Sequence, residues 1–309
     1  MRIDMHAHVL PPGYRALLTA GADPAAASTP PPEQLLEDLD RWAIDAVVIS
    51  LGGAPDPALD LAGALRTLNE GYAELVRDHR RRFGALASVP LPDVDAALAE
   101  LEYALDTLKL DGVLLLSNHQ GVYLGDPRLD PFFEELERRR AYCFVHPDFP
   151  PSSPLPHPGR WYEYPFDTTR AMVNMALNGA FDRYPNVRVQ WAHLGGTIPF
   201  LARRIDSQSA RMTDVVAGMQ ERMLTYFRRQ WYDTGLAPYY GTVAAARDLV
   251  PLEKLVFGTD WPWFPRPEHG TDPQPQLEAL GPDREQLDHL NARALVPALF
   301  DRIANKSPS

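Results

Sequence analysis

The feature that most constrains the fold of this chain is the regular alternation of short apolar runs with longer amphipathic segments. Eight runs have the length and residue types of β-strands. These runs are Arg2–His6, Ala46–Leu51, Phe83–Val89, Gly112–Leu116, Tyr142–His146, Val187–His193, Gln230–Thr234 and Leu255–Gly258. The amphipathic segments have helical spacing and are Glu33–Trp42, Ala58–Arg80, Val94–Leu108, Asp130–Arg140, Thr168–Tyr184, Ile198–Arg228, Tyr240–Asp248 and Asp283–Ile303.

This alternation predicts parallel strands joined by right-handed crossovers. Eight strand–helix units predict an α/β protein with a closed (β/α)8 TIM barrel, and we expect residues 1–309 to form one domain. Two Pro-rich insertions follow the first and fifth strands: residues 9–32 hold six prolines and residues 147–166 hold seven. Insertions after strands lie on the C-terminal face of such a barrel, where active sites form.

Composition limits the kinds of partner and compartment. A formal net charge of −11 argues against nucleic acid or an anionic membrane as a partner. No stretch approaches the roughly 18 apolar residues of a membrane span, and the N-terminus lacks the basic and apolar regions of a signal peptide. The single cysteine, Cys143, allows no internal disulfide. We therefore expect a cytoplasmic protein that acts on a small molecule.

Histidines and one aspartate stand at the ends of the predicted strands. His6 and His8 are two residues apart in the first strand and so share one face of it. A divalent metal binds imidazoles at about 2.0–2.1 Å, so one ion can bind both side chains. His146, His193 and Asp260 each end a later apolar run. Because a barrel gathers its strand ends into one cup, these residues predict a metal site.

The chain resembles the amidohydrolase superfamily, in particular the amidohydrolase-related branch of enzymes similar to aminocarboxymuconate-semialdehyde decarboxylase and 6-methylsalicylate decarboxylase. The resemblance covers nearly the whole chain. The motifs that carry it, besides the histidines, are Gly125-Asp126-Pro127, Tyr164-Pro165-Phe166-Asp167-Thr168-Thr169-Arg170, Tyr184-Pro185, His193-Leu194-Gly195-Gly196-Thr197-Ile198-Pro199-Phe200 and Gly258-Thr259-Asp260.

The resemblance implies roles for individual residues. The positions that match the metal ligands of the family are His6, His8, His146 and Asp260. His193 matches its catalytic histidine, and Arg204 matches an arginine that helps to hold a carboxylate in some decarboxylases. Binuclear members of the superfamily need a bridging Lys or Glu after strand four, where this chain has Leu116-Ser117-Asn118. We therefore expect one divalent metal ion, with Zn²⁺ preferred and Mn²⁺ as the alternative.

Two positions depart from the pattern of the branch. His6 stands where γ-resorcylate-type enzymes tend to have Glu, and Asp148 follows the fifth-strand His-Pro where Trp or an uncharged residue is common. Both departures concern the pocket that receives the substrate.

The resemblance implies non-oxidative decarboxylation of a salicylate-type acid such as 6-methylsalicylate, or of a related unsaturated carboxylic acid. We expect Asp260 to donate a proton to the substrate ring, His193 to orient Asp260 or stabilise charge, and Arg204 to pair with an anionic group. The expected ring contacts are Trp161, Tyr164 and Phe166 in the second Pro-rich loop, and His119 after strand four.

Two other functions remain open from the sequence. The same metal with His193 and Asp260 could activate water for hydrolysis of a lactone, amide or ester. A barrel without activity that serves as a binding scaffold is a third hypothesis, which the presence of every expected ligand disfavours. The branch tends towards homodimers, and the predicted helix Ile198–Arg228 could supply an interface.

Overall fold

The structure, a computed structural model, describes residues 1–21, 29–56, 59–152, 159–212, 214, 216–264 and 270–305. Eight parallel strands form one sheet in chain order. They are β1 (Ile3–His8), β2 (Ala46–Ser50), β3 (Phe83–Ser88), β4 (Gly112–Leu116), β5 (Tyr142–His146), β6 (Arg188–Trp191), β7 (Trp231–Asp233) and β8 (Leu255–Val256). The last strand returns to the first, because the Met5 N–H donates to the Phe257 carbonyl at 2.9 Å and the His8 N–H to the Trp261 carbonyl at 2.8 Å.

Helices surround this barrel. They are α1 (Pro12–Gly21), α2 (Pro32–Arg41), α3 (Leu61–Asp78), α4 (Val94–Glu102), α5 (Asp130–Arg139), α6 (Arg160–Leu177), α7 (Ala180–Arg183), α8 (Ile198–Ser209), α9 (Met223–Arg229), α10 (Tyr240–Leu249) and α11 (Pro297–Ala304). Shorter helical segments complete the chain, among them Tyr103–Thr107, Gln286–Leu290 and Asn291–Ala294. Among the described residues, no helix combines the length and the hydrophobicity that a membrane crossing requires.

The predicted (β/α)8 barrel is confirmed, and all eight strands lie where the apolar runs placed them. The first strand extends to His8, so both of its histidines lie on the strand. The sixth strand ends at Trp191, two residues before the predicted end, because His193 and Leu194 adopt positive φ angles of 55° and 54° that extended backbone excludes.

Two predicted long helices are wrong as single elements. The predicted helix Ile198–Arg228 is two helices, α8 and α9, because the Asp206 carboxylate on α8 accepts the Leu224 N–H at 3.2 Å and pairs with Arg222, which folds α9 back onto α8. The predicted helix Asp283–Ile303 is divided into short segments. Its last segment begins at Pro297, which fits the first turn of a helix but lacks the N–H that a continuing helix needs.

A third correction affects the predicted ring contacts. Helix α6 begins at Arg160 rather than Thr168, so Trp161, Tyr164 and Phe166 lie on a helix and not in the predicted loop. The helix ends at Leu177, since Gly179 has a φ of 68° that ends regular helix. The two insertions are described only in part: residues 22–28 and 153–158 lie outside the described residues. In the described part of the first insertion, residues 12–21 form α1.

Candidate metal and active site

Side chains from strands on opposite sides of the barrel meet at its C-terminal face. One ring nitrogen or carboxylate oxygen from each of four buried residues lies within 4.8 Å of the others; these residues are His6, His146, His193 and Asp260. His8 joins them, because its Nε2 lies 3.1 Å from Nε2 of His6 and 2.8 Å from Oδ1 of Asp260. The barrel therefore brings together all the residues predicted to bind metal, and places His193 as close as they are.

Unusual backbone angles aim two of these side chains inwards. Asp260 has a φ of 65° and His193 a φ of 55°, a left-handed region that costs free energy for residues other than glycine. Both turns come directly after a strand and are fixed by hydrogen bonds. The Asp260 N–H donates to the His6 carbonyl at 2.8 Å, and the His193 N–H donates to Oδ1 of Asp233 at 3.1 Å. Backbone strain at two residues whose side chains are in contact is typical of functional sites.

The spacing of these atoms fits one metal ion. Oδ1 of Asp260 lies 2.8 Å from His8 Nε2 and 3.1 Å from His6 Nε2, yet it makes no hydrogen bond of acceptable geometry to any described residue. Atoms bound to one zinc ion at about 2.0–2.1 Å in tetrahedral directions lie roughly 3.3 Å apart. A buried carboxylate oxygen without a hydrogen bond is rare, and a bound cation satisfies it.

The imidazole rings present the correct nitrogen to such an ion. His146 donates from Nδ1 to the Pro147 carbonyl at 2.8 Å, which leaves Nε2 free to bind metal. His6 faces Oδ1 of Asp233 with Nδ1 at 3.1 Å, which directs its Nε2 to the centre of the site. Partners of this kind fix the tautomer and the orientation of a ligand ring.

Asp233 is a site residue that the sequence analysis missed. Its side chain is fully buried at the end of β7 and accepts hydrogen bonds from Gln190 Nε2 at 2.8 Å and from the backbone of His193 and Gly235. It therefore orients His6 and the His193 backbone at once. A signal was present, because Asp233 lies one residue before the end of the predicted strand Gln230–Thr234.

Asp4 is a second missed residue, and it connects β1 to the loop after β8. Its carboxylate accepts hydrogen bonds from the Thr259 hydroxyl at 2.6 Å and from the backbone N–H groups of Thr259 and His6 at 3.0 Å. Burial raises the pKa of Asp4 to about 6, although these hydrogen bonds act in the opposite direction. Asp4 thus fixes the chain on either side of the site.

Burial and charge divide the histidines into two groups. Burial holds the pKa of His8 below its usual range and that of His146 far below, so both rings are neutral. Burial acts on His6 in the same direction, but the charges of Asp233 and Asp260 outweigh it and raise the pKa of His6 to about 10. Burial alone would raise the pKa of Asp260, yet the charge of His6 and the contacts with His193 and His8 hold it well below its usual range. Metal binding therefore competes with one proton on His6.

The two oxygens of Asp260 face different partners. Oδ1 faces His6 and His8, whereas Oδ2 lies 3.1 Å from Nε2 of His193. The other ring nitrogen of His193, Nδ1, is buried and has no hydrogen-bond partner among the described residues. Asp260 thus links the predicted metal ligands to the predicted catalytic histidine.

The predicted substrate contacts fall into two groups. Tyr164 is buried on α6 with its ring 5.8 Å from that of His146, and His119 is buried in a short hairpin after β4. Trp161 and Phe166 are on the same helix as Tyr164 but are 83% and 46% exposed, and Arg204 is exposed on α8. The structure brings Tyr164 and His119 to the site and leaves the other three on the surface, so their contact with substrate stays a prediction.

The motif that begins at Tyr164 has a structural role. The fully buried Asp167 carboxylate accepts hydrogen bonds from the Ser117 hydroxyl, from Asn118 Nδ2 at 3.0 Å and from the Tyr123 hydroxyl at 2.5 Å. These residues follow β4, so Asp167 joins α6 to the barrel. The contact holds Tyr164 over the histidines.

A cavity of about 640 Å³ lies at the same face, over the ends of β2 to β5. Most of its wall is aliphatic. Residues that line it include Leu51, Leu65, Ser88, Leu91, Leu114, Leu116, His119 and Asp148. A concave, mainly apolar space with a few polar groups beside a reactive site is typical of a pocket for a small organic molecule.

Comparison with known proteins identifies the family. Residues 3–298 match the family described as Amidohydrolase. This chain belongs to the amidohydrolase family. Within the family, 277 residues are 31% identical to 6-methylsalicylic acid decarboxylase of Penicillium expansum, over 85% of this chain and 86% of that protein. The amidohydrolase therefore belongs to the decarboxylase branch, as the motifs predicted.

Solved structures agree with this placement. A crystal structure of an amidohydrolase II superimposes with a TM-score of 0.83 at 26% identity, over 96% of this chain and 100% of the other. 5-Carboxyvanillate decarboxylase of Novosphingobium aromaticivorans, solved with manganese and 4-hydroxy-3-methoxy-5-nitrobenzoic acid, superimposes with a TM-score of 0.81 at 17% identity, over 96% of each chain. The second likeness shows the fold, and four buried residues of this amidohydrolase form a cluster that could hold a metal ion.

Proposed function

We propose that this protein is a metal-dependent decarboxylase that releases CO₂ from a small aromatic acid of the salicylate type, with 6-methylsalicylate as the first substrate to test. The observation that carries the proposal is the position of Asp260, whose two oxygens face the metal-binding histidines and His193 in a buried site beside an apolar cavity. The named activity of the relative from Penicillium expansum supports decarboxylation over the hydrolysis of a lactone, amide or ester.

The proposed metal ligands are His6, His8, His146 and Asp260. When bound there, a divalent ion acts as a Lewis acid for the carboxylate and the neighbouring hydroxyl of the substrate. Nitrogen-rich ligand sets favour Zn²⁺, and manganese in a structural neighbour makes Mn²⁺ the alternative.

The residues of the chain move the proton. Asp260 donates a proton to the ring carbon that carries the carboxylate, which interrupts the aromaticity of the ring. The bond from this carbon to the carboxylate then breaks, its electron pair returns to the ring, and CO₂ leaves. The product has hydrogen in place of the carboxylate. Because the pKa of Asp260 lies low, its carboxylate is ionised before the reaction. We therefore assign the supply of the proton that Asp260 delivers to His193, which contacts Oδ2 at 3.1 Å.

We also propose a homodimer. The long helix expected to supply an interface is divided, but large apolar side chains remain exposed at the surface. Phe200 on α8 is 86% exposed and Trp161 on α6 is 83% exposed. Light scattering coupled to size-exclusion chromatography tests this proposal directly, and a monomer at working concentration would contradict it.

The experiment that tests the proposed function is CO₂ release from a panel of hydroxybenzoates and lactones, with product identification. Protein purified without metal would be compared with protein reconstituted with Zn²⁺ or Mn²⁺. Metal-dependent CO₂ release from a salicylate-type acid is the expected result. Lactone turnover without CO₂ would replace the proposal with hydrolysis.

A further inference from the structure

The cavity over β2 to β5 begins beside the metal site. Its wall includes Leu116, which is paired with His146 across adjacent strands, and Asp148, two residues after His146. On its other side the chain after β2 packs closely on His8, since a Cβ atom at Gly52 would lie 2.9 Å from the ring of His8. A substrate held by its carboxylate at the histidines therefore has this cavity next to it.

The cavity wall has polar side chains that can form hydrogen bonds with a neutral substituent of the substrate. His119 accepts the Leu116 N–H on Nε2 at 3.2 Å, so in the neutral ring its other nitrogen, Nδ1, is a donor. The Ser88 hydroxyl is buried in the wall and has no hydrogen-bond partner among the described residues. A phenolic hydroxyl on the substrate can pair with a polar group of this wall, and an alkyl group can pack on the leucines.

The described part of the cavity wall has no cation for a second carboxylate. Among the described residues that line it there is no lysine or arginine, whereas Asp148 contributes a carboxyl group. Arg160 stands outside the wall, with its guanidinium 6.0 Å from the centroid of the Phe149 ring, and its charge acts on Asp148 from there. Burial of a carboxylate without a cation or a full set of donors is unfavourable, so a diacid would bind poorly.

Asp148 is held firmly at this wall. Its backbone N–H donates to the Ser117 hydroxyl at 2.9 Å, and Ser117 in turn donates to the buried Asp167. The residue is therefore fixed by the same network that joins α6 to the barrel.

We propose that this cavity receives the part of the aromatic substrate remote from the departing carboxylate, and that Asp148 makes the enzyme selective for monocarboxylic acids with neutral hydroxyl or alkyl substituents over aromatic dicarboxylic acids. The proposal rests on the proposed function. It names Asp148 as a specificity-determining residue that contacts the substrate substituent.

The test compares kcat/KM for 6-methylsalicylate and for the diacid 5-carboxyvanillate at one pH with metal-loaded full-length protein. We expect the wild type to prefer the monoacid by about 100-fold or more, and Asp148→Asn to reduce that ratio by about tenfold or more. The matched control is Asp95→Asn, which removes the same charge from the exposed first turn of α4 and leaves the ratio unchanged. Equal turnover of both acids by the wild type, or the same ratio in both variants, would overturn the proposal.

Calorimetric binding of the same two acids separates this proposal from the proposed function. If neither acid releases CO₂, the proposed function fails, and binding still tests the cavity. Tighter binding of the monoacid to the wild type, with the difference reduced in Asp148→Asn but not in Asp95→Asn, supports the selectivity. Equal binding of the two acids overturns it.

Discussion

The C-terminal face of the barrel has two unlike halves. At the ends of β1 and β5 to β8, polar side chains are held by other polar groups: His6 by Asp233, His146 by a backbone carbonyl, and Asp260 by His193. At the ends of β2 to β4 the wall is mainly aliphatic, and the Ser88 hydroxyl has no partner among the described residues. The first half holds the charged and metal-binding side chains in place. The second half offers a substrate an apolar space and the Ser88 hydroxyl.

The two halves should respond differently to substitution. Changes on the metal half should alter rate or metal affinity, whereas changes on the cavity half should alter selectivity with little loss of metal. Loss of metal after a change on the cavity half, or altered selectivity alone after a change on the metal half, would contradict this division.

The largest effect is expected from Asp260→Asn. The amide keeps the shape of the side chain but cannot donate the proton, so turnover should fall by roughly 10³-fold or more. CO₂ release measures the rate, and circular dichroism with thermal unfolding checks that the fold is kept. Near-normal turnover would remove Asp260 from the mechanism.

His193→Ala should lower the rate by about 100-fold or more and keep the metal. The substitution removes the partner of Asp260 Oδ2 without removing a proposed ligand. Metal content by mass spectrometry is the deciding measurement, with His79→Ala at the end of α3 as a histidine control remote from the site. Loss of metal in His193→Ala but not in His79→Ala would show that His193 is a metal ligand. The position of His193 in the cluster is close enough for that role.

Asp233→Asn should weaken metal affinity by about 10–100-fold, because outer partners of ligand histidines contribute that much. The change leaves the proposed ligands in place but weakens the hold on His6 Nδ1. Competition with a chelator measures the affinity. Asp248→Asn, which removes an exposed carboxylate paired with Arg203, is the control and should have no effect.

Metal affinity should rise about tenfold per pH unit between pH 6 and pH 8. The pKa of His6 is raised to about 10, so this ring carries a proton through the whole interval and must release it when metal binds. His8 and His146 have lowered pKa values and add no further proton. Chelator competition at pH 6, 7 and 8 measures the slope, and an affinity independent of pH would mean that His6 is already neutral.

The smallest effect is expected on the cavity half. Ser88→Ala removes a hydroxyl without a partner among the described residues, so the free energy of unfolding should change by less than about 1 kcal/mol. Ser117→Ala removes a hydroxyl that donates to Asp167 and accepts from the Asp148 backbone, and should cost about 1–3 kcal/mol. Denaturant unfolding compares the two serines. An equal loss in both would mean that the Ser88 hydroxyl has a role in stability.

Much of the barrel and of the metal cluster could be predicted because both depend on local signals. Apolar runs place strands, strand ends share one face, and His6 and His8 follow the period of two. Asp233 was missed because its partners come from β1 and β6, and only the register between strands brings them together. The division of the helix after Ile198 depends on the contact of Asp206 with Arg222, which helical spacing does not contain.

The placement of α6 shows a second limit. Their aromatic character and their position in the insertion after the fifth strand suggested that Trp161, Tyr164 and Phe166 line the pocket together. Phe166 is two residues from Tyr164 and so faces another side of the helix, and Trp161 is exposed at the N-terminal end of the helix. Tyr164 alone of the three is buried beside the histidines. The prediction that residues 1–309 form one domain stays a prediction, as do the cytoplasmic location and the choice between zinc and manganese.

The junction between β8 and β1 has a consequence for the synthesis and folding of the chain. His6 is made some 250 residues before Asp260 and its neighbour Thr259, which bonds to Asp4. A growing chain on the ribosome therefore carries its early histidines long before their carboxylate partner exists. The pairing of the last strand with the first closes the ring of strands and brings the Asp260 carboxylate beside the histidines.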